Sequence, residues 1–189
     1  MEREMDLRGK EAVSLSSLVK QEYQIPDSYY FGEVKRGLRN SDGTGVLIGV
    51  TKVGSVQGYL IEDGRRIPVP GKLYYRGIDL NEIVEAHRKS GTFGYEEVAY
   101  LLLMGHLPTK SELSYFNDIM CRARKLPEGF TEGMIMRHPS RDIMNDLARS
   151  VLLLYSYDEN PDDISAENLL TQSIKLIGSF PAIVANAYA

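Results

Sequence analysis

The sequence predicts a mainly helical protein with a small antiparallel β unit near residues 45–75. Three observations lead there. From residue 79 onward, apolar residues recur at three- and four-residue intervals in five successive stretches, the spacing that builds one face of a helix. Several of those stretches open on a capping residue and stop near Gly or Pro. Between 45 and 75 the pattern differs: Val46, Ile48 and Val50 alternate with smaller or polar neighbours, and Asp63-Gly64 separates two β-rich runs as a hairpin turn does.

Residues 1–44 form a polar lead-in, in which Val13, Leu15, Leu18 and Val19 fall at loosely helical spacing before Pro26. In the β unit, 45–75, VQGYLI leads through EDGRR to IPVP and KLYY. Pro68 and Pro70 donate no ladder hydrogen bond and restrict the returning strand to an edge. The helical part follows, 76–189, and begins with a corner, LYYRGIDL. Leu73, Tyr74 and Tyr75 favour a strand, and Gly77 permits a backbone conformation that a Cβ disfavours. Asp79 is an N-cap, Glu82 stands at the capping-box position, and Ile78 and Ile83 occupy the staple positions.

Five helices are expected. The first covers 79–89 and stops near Gly91. The second, 95–104, has Glu96 and Glu97 in its first turn, Gly105 just past its end and Pro108 beyond; it is apolar enough to be buried. The third, 110–124, opens on a Thr109–Glu112 capping box and carries Leu113, Phe116, Met120 and Ala123 on one face. The fourth, 140–156, follows His138-Pro139-Ser140 and repeats Ile143, Leu147, Val151 and Leu154. The fifth, 166–189, is capped by Ser165 and runs through Leu169, Ile174 and Ile177. Its last residues, IVANAYA, carry no stop signal and read as a cut through a longer protein.

Composition excludes several function classes. A net charge of -4 gives no electrostatic reason to expect nucleic acid or an anionic membrane as partner. No apolar run approaches the roughly 20 residues of a membrane span, and residues 1–20 lack a signal-peptide core, so a cytoplasmic location is expected. Cys121 is the one cysteine, which rules out an internal disulfide and a CxxC site. His87, His106 and His138 lack metal-ligand spacing.

The remaining candidates each have a structural reading. The glycines at 43, 45 and 49 miss a nucleotide-binding fingerprint and precede a strand, so they read as a turn. Gly71-Lys72-Leu73 lacks the hydroxyl and the upstream glycine of a phosphate loop. Lys35, Arg36 and Arg39 read as a solvated basic patch. Arg76 reads as a structural ion pair with Asp79 or Glu82. His138 offers a base without a partner and is read as part of a helix start. His87 and His106 are placed to meet helix ends, and Cys121 reads as packing or surface. Pro181 removes a bond to the carbonyl of Ile177, which predicts a kink. Around it Gly178, Ser179, Ala182, Ala185, Ala187 and Ala189 leave room for a second helix, either within the chain or from another subunit.

Taken in order, these segments resemble the citrate synthase family over about residues 34–189. LYYRGIDLNEI resembles its YRG corner, and FGYEEVAYLLLMGHLPTKSEL a segment that it follows almost residue for residue. RHPSRDIMNDLARSVLLLYSYD resembles the His-Pro-Met helix, with Ser140 in place of methionine. ENLLTQSIKLIGSFPAIVANAYA resembles the long helix that follows, and KRGLRNSDGTGVLIGVTKVGSVQGYLIEDGRRIPVPG the longer β segment of one bacterial branch.

The resemblance implies the N-terminal part of a large helical domain and condensation of acetyl-CoA with oxaloacetate and water to give citrate and CoA, an acyl transfer of the tricarboxylic acid cycle. It also implies that the arginine of the corner is not catalytic. The family's two catalytic histidines, its aspartate and its arginines lie in later motifs that do not occur here. No catalytic, cofactor-binding or metal-binding residue is therefore assigned, and the segment alone is expected to be inactive. A 2-methylcitrate synthase, taking propionyl-CoA, and a non-catalytic dimerisation module on the same scaffold are the alternatives. A homodimer through the helices near 140–156 and 166–189 is the expected partner arrangement.

Overall fold

A computed structural model of the chain describes residues 10–29, 44 and 50–189. The expected strand at 46–50, the basic cluster of Lys35, Arg36 and Arg39 and the glycines at 43, 45 and 49 fall, at least in part, outside the described residues. Two compact units are present, one of residues 1–19 and 108–189, the other of 20–107, with the first boundary inside helix α1 (Lys10–Glu22).

In the unit of residues 20–107, β1 (Gly54–Glu62) and β2 (Arg65–Tyr75) form an antiparallel hairpin. Its turn is the expected Asp63-Gly64, at φ 50° and 71°, and the paired positive values are those of the tight turn whose twist matches flanking strands. The register slips between Gln57 and Tyr59, opposite the stretch that holds Pro68, Pro70 and Gly71. A short β3 (Ile78–Asp79) pairs with Tyr75 and Tyr74 alone. Thus β2 is central by strand order, yet its two prolines lie where only β1 flanks it, which satisfies the edge rule locally.

Helices α2 (Leu80–Ser90) and α3 (Tyr95–Met104) follow, each ended by a left-handed glycine, Gly91 and Gly105. The Asp79 carboxylate caps α2 by accepting from Asn81 N at 2.9 Å. The expected capping box with Glu82 is not made, because Asp79 meets the second amide of the helix rather than the third, and its other oxygen faces Lys72 Nζ at 3.8 Å. Ala99, Tyr100, Leu101 and Met104 are buried, as the apolar character of α3 requires.

In the unit of residues 1–19 and 108–189, α4 (Lys110–Ala123) opens on a complete capping box: Glu112 N donates to Thr109 Oγ1 and Thr109 N to Glu112 Oε2 at 2.7 Å. Removing the hydroxyl in Thr109→Ala is expected to destabilise the fold by about 1 kcal/mol, read as a lowered thermal midpoint with helical content unchanged. The buried face of α4 is Phe116, Ile119, Met120 and Ala123, with Leu113 half-buried. A six-residue π-helical turn, Thr131–Met136, which the sequence reading did not foresee, places Ile135 beside Phe130.

Helix α5 (Ile143–Leu154) begins three residues later than expected. Ser140 is not its cap: its Oγ accepts from Asp142 N at 3.0 Å, and Asp142 accepts from Met144 N and Asn145 N. Ser165 caps α6 (Ala166–Tyr188), which is assigned as one helix across Pro181. Between α5 and α6, Tyr155 donates to both oxygens of Asp162 at 3.0 Å, and that bond, reinforced by the carboxylate's charge, raises the phenol pKa. Packing of α4 and α5 against α6 organises the core of this unit. Leu170, Ile174, Gly178, Ser179 and Ile183 form the buried stripe of α6, and Ile183 joins Phe130 and Ile135 at one centre.

Candidate functional site

Two side-chain constellations each hold one residue that the sequence singled out, Arg76 and His87, and both lie in the unit of residues 20–107. The first is at the corner. Arg76 takes a left-handed conformation, φ 49°, directly before Gly77 at φ 83°. Its guanidinium reaches neither Asp79 nor Glu82. Instead Nη2 donates to the Leu102 carbonyl at 2.8 Å and Nε at 3.3 Å, while the group lies 4.8 Å over the Tyr23 ring. Tyr23 also donates its hydroxyl to that carbonyl, at 3.2 Å.

The physical reason is the end of α3. Gly105 turns the chain out of the helix, so the carbonyl of Leu102 has no following helical amide to accept from. A planar cation with several donors satisfies it and stacks on an aromatic face, which a lysine ammonium cannot reproduce. The ion pair expected from sequence is thus corrected to a helix-end clasp. Arg76→Met is expected to cost about 2 kcal/mol, since charge-assisted bonds run to roughly 1.5–3 kcal/mol. Arg76→Lys should recover only part of the lost thermal midpoint.

The second constellation joins the end of α2 to the start of α3. His87 Nδ1 lies 2.8 Å from Thr92 Oγ1, which is 2.7 Å from Ser90 Oγ. The opposite ring nitrogen, Nε2, is buried and lies 3.2 Å from Glu97 Oε1, off the line of a hydrogen bond. Gly94 makes this possible, because a Cβ there would stand 2.5 Å from the imidazole. A hydroxyl, an imidazole and a carboxylate in series suggest nucleophilic chemistry. Here Ser90 Oγ spends its proton on the carbonyls of Ala86 and His87, at 3.0 and 3.2 Å, and the series closes a helix end.

The other candidates are dispersed. His106 stands edge-on to Tyr100, ring centroids 5.5 Å apart. His138 is exposed, and its carbonyl accepts from Arg149 Nη2 at 2.8 Å. Arg149 also pairs with the buried Asp146, one turn back on α5. Cys121 is exposed on α4. Among the described residues no group of three His, Cys, Asp or Glu side chains is placed to hold a metal ion. The sequence reading missed the Arg76–Leu102 contact and the His87–Glu97 pair. The first spans 26 residues and had no local signal, whereas Gly94 just ahead of a helix was the visible trace of the second.

Comparison with known proteins places this architecture. The model of the family described as citrate synthase, C-terminal domain, matches residues 42–189. A citrate synthase of Haloferax volcanii is 30% identical over 162 residues, covering 84% of this chain and 37% of that protein. A 2-methylcitrate synthase of Shewanella oneidensis is 30% identical over 116 residues, covering 61% of this chain and 28% of that protein. The crystal structure of citrate synthase from Pyrobaculum aerophilum matches with a TM-score of 0.59 at 29% identity, over 83% of this chain and 40% of that one. The chain therefore spans well under half the length of these relatives.

Proposed function

Since the chain belongs to the citrate synthase family, we propose that it supplies the N-terminal, scaffold-forming part of an acyltransferase that condenses acetyl-CoA with oxaloacetate and water to citrate and CoA. The observation that carries this reading is the family match running unbroken through the hairpin and α2 to α6.

The proposed reaction sets the demands on its catalytic groups. A base must take a proton from the acetyl methyl, donors must stabilise the resulting enol, and cations must hold two substrate carboxylates. Three of the described groups of suitable chemistry are otherwise engaged: Glu97 faces His87, Asp146 holds Arg149, and Arg76 is bound to a carbonyl. In this reading the catalytic groups lie outside residues 1–189. Those residues alone should release no CoA thiol from acetyl-CoA in the presence of oxaloacetate. Turnover above a buffer blank that survives controls for contaminating host enzyme would overturn it.

A second reading, 2-methylcitrate synthesis from propionyl-CoA, is favoured by relatives named for that activity in Shewanella oneidensis and Mycobacterium tuberculosis. The complete enzyme should show a higher kcat/KM with acetyl-CoA than with propionyl-CoA, and the reverse order would select the second reading. A homodimer through α5 and α6 and a cytoplasmic location belong to the same proposal. Among the described residues no helix is long and apolar enough to cross a membrane.

A further inference from the structure

No further inference is drawn: the strongest candidate, the hydroxyl–imidazole–carboxylate cluster at the α2–α3 junction, belongs to the junction already described, where its hydrogen bonds close a helix end and no described group points to a ligand.

Discussion

Gly178→Ala will destabilise the protein, although the same change in an unobstructed helix is expected to stabilise it by about 1 kcal/mol. The sign is decided by α4. A Cβ at position 178 would stand 2.5 Å from the Cβ of Ala123, 3.0 Å from its carbonyl carbon and 3.2 Å from its carbonyl oxygen. Two of those atoms are backbone, so relief requires moving the end of α4, which the buried Phe116, Ile119 and Met120 hold in place. Overpacking of this kind costs roughly 1–3 kcal/mol.

A double-mutant cycle separates this clash from a change in helix propensity. Ala123→Gly alone loses helix propensity and a methyl group, yet it removes the closest of the three contacts. In its presence, Gly178→Ala should cost measurably less than in the parent. Denaturant titrations of the four proteins would show this as a double mutant less destabilised than the sum of the two single mutants. A Gly178→Ala protein as stable as the parent would mean that α4 and α6 are not held this close.

The small-residue run around Pro181 was ambiguous in the sequence for a physical reason. Glycine and alanine permit a close approach without specifying which helix approaches. In the folded chain Gly178 meets Ala123 of the same unit, so part of the run serves internal packing. Helix positions were legible because capping residues and apolar periodicity are local signals: Thr109, Ser165, Gly91 and Gly105 act where they were expected to.

What escaped the sequence was short or non-local. A two-residue strand at Ile78–Asp79 and a single π-helical turn at Thr131–Met136 are too brief to establish a period. The start of α5 was placed too early because its apolar repeat and the preceding His138-Pro139-Ser140 do not fix a first residue, whereas in the fold Asp142 is the cap. On that helix the most buried residues are the polar Asp146 and Ser150, which hydrophobic periodicity cannot find. Arg76 was misassigned because adjacent carboxylates were visible in the sequence and the carbonyl of Leu102 was not.

Ala185→Arg will disrupt the proposed homodimer. The stripe of α6 that faces its own unit is fully used, from Leu170 to Ile183. Elsewhere on the helix Leu169, Val184 and Tyr188 remain exposed, as does Ala185 itself. On α5, Met144 and Leu152 are exposed as well, Leu152 to 75%, and Ile164 in the connection to 83%. Apolar side chains exposed this far along two neighbouring helices are what a recognition surface requires and what a free monomer disfavours. A permanent dimer buries upwards of about 2,000 Å² with an apolar centre. Its isologous geometry would set each α6 near the two-fold axis, so one substitution introduces two charges. Desolvating a guanidinium without a partner costs several kcal/mol, enough to shift association by orders of magnitude. Light scattering over a concentration series should therefore report a dimer for the parent, and a monomer or aggregate for Ala185→Arg with its helical circular dichroism retained. A well-folded monomer at high concentration, unchanged by the arginine, would mean that α6 packs only within its own chain.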